Sequence, residues 1–141
     1  MFTRFSILGL IELTAVVAFV LANDRLFFRG GGDLISNVLV TGGLTGVYLG
    51  IRRRSDDRFA SVLKSSGIWA AVVTVGNGVP MAMIVSERFR LQEHIEFTWV
   101  STGRGLLGSA LILTILGGGF GMLLALVPAA IIARWKHSYS R

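Results

Sequence analysis

The chain has 141 residues, of which 52% are hydrophobic, and carries 14 Lys and Arg against 8 Asp and Glu, a formal charge of +6, with no cysteine. That composition excludes a disulfide framework, thiolate metal ligands and palmitoylation. With a mean hydropathy of +0.67 and a pI near 11.1, the basic excess raises the question of which membrane face holds the cations rather than of nucleic-acid binding.

Residues 5–22, 34–51, 68–86 and 105–133 are apolar for the length a bilayer demands, and Glu12 is the one charged residue among them. About 20 such residues cross the ~30 Å of hydrocarbon as a helix. The expectation is an all-α membrane protein, a single four-helix transmembrane domain over 1–141. Its connections of 11 to 18 residues are too short for a soluble core of their own.

The first span follows Arg4 and closes on Val20-Leu21-Ala22, which also fits a signal-peptide template, but Glu12 in the middle of the run argues against cleavage. Glu12 falls near the centre of 5–22, where an ionised carboxylate costs several kcal/mol, and no Lys or Arg lies in any span to neutralise it. Gly9, Ala15 and Val16 share its helical face and let a neighbouring helix approach. Asn77, at the midpoint of the third span, is the expected hydrogen-bond partner; the functional reading of the same residue is a proton or cation site. Beyond the span, Gly30-Gly31-Gly32 predicts a flexible turn, with Leu26, Phe27 and Phe28 resting in the headgroup layer.

The second span places Gly42, Gly46 and Gly50 at four-residue intervals. In lipid, small residues at this spacing let backbones approach and supply van der Waals contact. In the connection that follows, Ser55 is a candidate N-cap with Asp56 and Asp57 in the first turn. Phe59, Val62 and Leu63 recur at helical spacing opposite Arg58 and Lys64, which predicts a short amphipathic helix flat on the interface.

The third span contains Gly76-Asn77-Gly78-Val79-Pro80. Pro80 lacks an amide hydrogen and crowds the Gly76 carbonyl, so Gly76, Gly78 and Pro80 mark an expected helix break, either a kink or the unwound segment of a site. The connection 87–104 either extends the third span as helix or folds along the surface. The fourth span repeats a small residue every fourth position, at Gly117, Gly121, Ala125, Ala129 and Ala133, and a bend is expected at Gly117-Gly118-Gly119-Phe120-Gly121, with Pro128 a second weak point. Matching small-residue stripes predict that the second and fourth spans make the closest contacts. Trp69, Trp99 and Trp135 fall near span ends, as an aromatic belt requires.

Alternating the connections across the membrane gathers nine Lys and Arg on the side of the termini and the second connection against five on the other. Lys and Arg bias toward the cytoplasm predicts both termini there, in a bacterial cytoplasmic membrane, with the cations facing anionic lipid. The opening Arg4-Phe5-Ser6-Ile7, Leu10, Leu13-Thr14-Ala15-Val16-Val17-Ala18 and Leu21-Ala22 resembles the leading helix of many uncharacterised membrane proteins of planctomycete bacteria, a resemblance that implies location and no activity. Four spans with an embedded acid in the first are also similar to small multidrug resistance exporters, which implies proton and cation exchange at Glu12; Tyr48, the one tyrosine before the C-tail, departs from their aromatic-rich substrate face.

Gly103-Arg104-Gly105-Leu106-Leu107-Gly108 satisfies a dinucleotide fingerprint literally but precedes a membrane span with no βαβ unit. His94 and His137 fall on opposite sides and share no metal or haem. Span hydroxyls such as Thr41, Thr45, Thr74, Ser109 and Thr114 read as helix-bonded or packing groups rather than nucleophiles. The reading is therefore a non-catalytic structural or accessory membrane protein with no cofactor, no metal and no nucleic-acid partner. Its partners are the bilayer and a homo-oligomer or larger membrane complex; the alternative is a small proton-coupled transporter or channel using Glu12.

Overall fold

The computed structural model describes residues 7–30, 33–93 and 99–139. It is all-helical: α1 Ile7–Gly30, α2 Leu34–Arg52, α3 Phe59–Glu93 and α4 Trp99–Tyr139. All four are long and apolar enough to cross a membrane. Arg4, Phe5, Ser6, His94 and Arg141 lie outside the described residues.

The bundle is organised around α3. Val62, Ser66, Ala70 and Thr74, one residue per turn along one stripe, are completely buried there. The glycines of α2 meet this stripe in antiparallel register: Gly50 faces Ser66, Gly46 faces Ala70 and Gly42 faces Thr74. The glycines of α4 meet it from the other flank, Gly121 against Ala70 and Gly117 against Thr74. A Cβ on Gly117 would lie 2.6 Å from the Thr74 Cβ, and one on Gly42 3.0 Å from the Thr74 Cα. Only hydrogen in place of a side chain permits that approach, and in lipid such proximity is what holds helices together.

The expectation that α2 and α4 make the closest contacts is thereby corrected. Each touches α3 far more than it touches the other. Ser66, Ala70, Thr74 and Gly78 form a four-residue stripe of their own, so α3 is a shared receptor for both glycine faces. Where α2 and α4 do meet, Gly43 lies against Phe120 and Leu124.

Three other expectations change. First, no separate amphipathic helix occupies the second connection: the chain is irregular only between Arg53 and Arg58, and Phe59 opens the long α3. Val62 is buried in the bundle rather than laid on an interface, because its stripe continues into Ser66 and Ala70. Ser55 does not cap this helix; the Arg58 carbonyl accepts the first turn's bond from the Val62 amide at 3.1 Å. Second, no unwound segment occurs at Gly76, Gly78 and Pro80, since α3 is continuous through Pro80. One missing amide removes one bond of the ladder, and the packed side around Gly78, against Val38 and Leu113, supports the remaining turns. Likewise α4 is continuous through Gly117–Gly121 and Pro128. Third, α1 runs to Gly30, so 23–29 of the first connection is helix, while Gly31 and Gly32 of the expected turn lie outside the described residues.

The third connection shortens in the same way, with helix to Glu93 on one side and from Trp99 on the other. Since Val38 faces Gly78, the start of α2 is level with about residue 82 of α3, and the last turns of α3 project roughly 17 Å further at ~1.5 Å per residue. Asp33 caps α2, its carboxylate accepting from the Ser36 amide at 2.9 Å and the Ser36 hydroxyl at 2.8 Å. The backbone bond from Ser36, then its hydroxyl, hold the Asp33 carboxyl below the usual carboxylate range.

Gly46→Ala places a methyl into the Ala70 backbone, whereas Gly119 has nothing within 4 Å of an added Cβ. Gly46→Ala is expected to destabilise the protein by about 1–3 kcal/mol. Gly119→Ala should be neutral or stabilising by up to ~1 kcal/mol. Thermal or denaturant unfolding in detergent checks the pair, and equal effects would remove the α3-centred packing.

Candidate functional site

The helix α1 packs differently from the rest. It lacks a four-residue glycine stripe, most of its apolar side chains are exposed, and its contacts fall mainly on α2. Polar contacts hold it near both ends. Near its start, Glu12 Oε1 stands 3.7 Å from Arg52 Nε. This corrects the expectation of an unneutralised mid-span acid. Because α1 extends to Gly30, its midpoint moves to about Ala18–Phe19, and Glu12 lies near the end where α2 finishes. At 3.7 Å the contact is an ion pair without a hydrogen bond, and Oε1 is covered yet accepts none. Arg52 is 66% exposed, so the pair is worth no more than about 1 kcal/mol.

Near the other end, Asp24 is buried, at 8% exposure. Its Oδ1 accepts from Asn77 Nδ2 at 3.2 Å and from Asn37 Nδ2 at 3.3 Å. Asn77 therefore binds Asp24 and not Glu12. The Asp24–Asn37–Asn77 cluster joins α1, α2 and α3 in one place. Both amides converge on Oδ1, and Oδ2 has no donor among the described residues.

Between these tethers α1 stands off from its neighbours. A cavity of about 510 Å³ separates it from α2, lined by Ile11, Glu12, Val16, Thr45, Tyr48 and Arg52 among others. A second, about 390 Å³, separates it from α3 and carries Asp24, Gly76, Asn77 and Pro80 on otherwise aliphatic walls. Pro80 offers no amide to the Gly76 carbonyl one turn earlier, so that acceptor too lacks its helical donor.

The α2–α3 connection is an ion-paired end cap. Asp57 accepts from Arg54 Nε at 2.7 Å, Asp56 lies 3.0 Å from Arg58 Nε and 3.7 Å from Lys136 Nζ, and the Arg54 guanidinium also donates to the Ile51 carbonyl. Arg53 stacks 5.2 Å from the centre of the Trp69 ring. The Lys136 and Glu12 contacts place the start of α1, the second connection and the end of α4 at one end of the bundle, as alternation of the connections requires.

Of the residues marked in the sequence, Gly42, Gly46, Gly50, Gly117 and Gly121 converge on α3, and Ala125 is fully buried. Gly76 and Pro80 line the α1–α3 cleft. Thr114 bonds its own helix through the Ala110 carbonyl at 2.7 Å, whereas Thr45, Ser66 and Thr74 are buried with hydroxyls that have no partner among the described residues. Sequence reasoning passed over Asp24 and Asn37 because both were assigned near span ends, where polar residues are ordinary. Their signal was the i, i+3, i+4, i+7 placement of Val17, Val20, Leu21 and Asp24 on one face. Among the described residues, no three His, Asp or Glu side chains come together as a metal site. No protein-family model matches the chain, and no curated protein or solved structure matches it either.

A double-mutant cycle separates the observed pairing from the expected one. Asp24→Ala and Asn77→Ala should couple by about 1 kcal/mol, within the range of interhelical hydrogen bonds in lipid. Glu12→Ala and Asn77→Ala should be additive within about 0.5 kcal/mol. Coupling confined to the second pair would overturn the assignment.

Proposed function

We propose that this chain is a non-catalytic structural or accessory protein of a bacterial cytoplasmic membrane, with both termini on the cytoplasmic side. The observation that carries the reading is the contrast between two kinds of packing. The helices α2, α3 and α4 are knit by backbone approach at Gly42, Gly46, Gly50, Gly117 and Gly121, a small-residue zipper that leaves little freedom for transport motions. The helix α1, in contrast, turns Ile7, Leu8, Ile11, Val17 and Leu21 outward at half exposure or more, an apolar surface for lipid, a second copy or a larger membrane complex. Orientation rests on the basic end that gathers Arg52, Arg53, Arg54, Arg58, Arg134 and Lys136.

One observation favours a proton-coupled transporter or channel as the alternative. Glu12 Oε1 is covered without a hydrogen bond among the described residues, and Glu12 lines the 510 Å³ cavity together with Thr45, whose buried hydroxyl also has no partner among them. Arg52 beside the carboxylate weighs against it.

The natural absence of cysteine allows a clean test. Ile7→Cys, on the open face of α1, should give disulfide-linked or crosslinked adducts in native membranes, while reporters fused at residue 60 and at the C-terminus should both read cytoplasmic. Monomer alone, together with proton-linked flux in vesicles that Glu12→Gln abolishes, would replace the accessory reading with the transporter.

A further inference from the structure

Two cavities share one arginine at the basic end of the bundle. The 510 Å³ space between α1 and α2 runs from Arg52 inward past Tyr48 to Leu44, eight residues or roughly 12 Å along α2, with Val16 and Phe19 on the α1 wall. A second space of about 440 Å³ lies at the α2–α3 connection and is polar, lined by Arg52, Arg54, Ser55, Asp56 and Asp57 besides Ile51. It stands further out. Gly50 faces Ser66, so Arg52 is level with about residue 64 of α3, and α3 begins five residues beyond that level at Phe59, roughly 7 Å at ~1.5 Å per residue. Asp56 and Asp57 precede that start in the connection. From the interior outward the order is therefore an apolar trough, a cation and then carboxylates.

The open hydrogen-bonding groups follow the same order. Arg52 is 66% exposed and meets Glu12 at Nε, which leaves its two terminal nitrogens without a hydrogen bond among the described residues. Asp57 accepts from Arg54 through Oδ1, and its Oδ2 has no donor among them. Together the cavities present Glu12, Asp56 and Asp57 against Arg52 and Arg54, a balance that disfavours a ligand of net negative charge. A phospholipid whose head ends in an ammonium carries its parts in the matching sequence: acyl chain, phosphate, ammonium.

We infer that these two cavities seat one phosphatidylethanolamine molecule of the leaflet at the basic end. The first segment of one acyl chain lies in the α1–α2 trough, the phosphate accepts from the terminal guanidinium nitrogens of Arg52, and the ammonium donates to Asp57 Oδ2. Phosphatidylglycerol brings a net negative head to the same acids, and a quaternary choline head has no N–H to donate. The inference rests on the membrane placement proposed above.

The test is competitive retention of phosphatidylethanolamine, phosphatidylcholine and phosphatidylglycerol with identical acyl chains, read by native mass spectrometry on the full chain released from mixed-lipid nanodiscs. The wild type should retain the ethanolamine lipid about fivefold over the choline lipid, the size of one half-exposed charged contact, and should also prefer it to the glycerol lipid. Asp57→Asn should bring the ethanolamine-to-choline ratio close to one, and Asp57→Glu should keep it above one. Arg52→Gln should lower retention of these two lipids together and leave their ratio unchanged, because both carry the phosphate. Ala15 lines the trough, so Ala15→Phe should likewise lower both, whereas Arg25→Gln at the opposite end should change neither. Should Asp57→Asn fail to fold, the wild-type ratio and Arg52→Gln decide. A wild-type ratio near one, preference for the glycerol lipid, a ratio indifferent to Asp57→Asn, or retention indifferent to Arg52→Gln would overturn the site and leave the membrane placement standing. Failure of the chain to enter nanodiscs at all would overturn the membrane placement, and the site with it.

Discussion

The structure depends on one constraint, the approach of glycine backbone to a stripe of small side chains on α3. Lipid tails are as apolar as leucine, so burying leucines drives helices together weakly in a bilayer; what remains is contact density and the occasional hydrogen bond. Ser66, Ala70 and Thr74 supply a stripe narrow enough to be approached from two sides at once. Three helices are thereby fixed by one row of residues. The hydroxyls of Ser66 and Thr74 lie buried within this stripe and have no hydrogen-bond partner among the described residues.

The fourth helix obeys a different rule. Without a matching stripe, α1 cannot come that close to the bundle, so its position is set by the reach of polar side chains near its two ends, Glu12 to Arg52 and Asp24 to Asn37 and Asn77. Side-chain tethers hold helices further apart than glycine contacts do, and cavities of 510 and 390 Å³ are the space left on the α2 and α3 sides. Loose packing and candidate chemistry are thus linked: the ligand-sized spaces described on α1 border the helix that was not stitched in.

Charge follows the same division. At the basic end, Asp56 and Asp57 are engaged by Arg54, Arg58 and Lys136, so the acids there organise the connection, while cations such as Arg134 stay exposed. At the other end the polar groups turn inward on Asp24. There Asn37 and Asn77 both donate to one oxygen of the Asp24 carboxyl, so the contact is a hydrogen-bonded cluster rather than an ion pair.

How much of this was legible depends on whether the information is local. The number of apolar helices is written in composition and length, because a ~30 Å slab imposes both on each segment separately; α2, with predicted bounds 34–51 and observed Leu34–Arg52, is the clearest case. Gly42, Gly46 and Gly50 were legible as a contact face for the same reason. What they contact was not, since a stripe on one helix does not name its partner, and Ser66, Ala70 and Thr74 look like ordinary residues until two glycine faces arrive on them. The pairing of Glu12 with Arg52 and of Asp24 with Asn37 and Asn77 was decided by how far α1 extends and where α2 ends relative to it, a register between helices. Sequence alone determined that there are four apolar helices and roughly where their apolar runs lie, because each is held by its own backbone bonds and its own apolar run; tertiary structure decided how far α1, α3 and α4 extend, which elements touch and which polar groups meet, because those depend on distances between segments that the chain order does not contain.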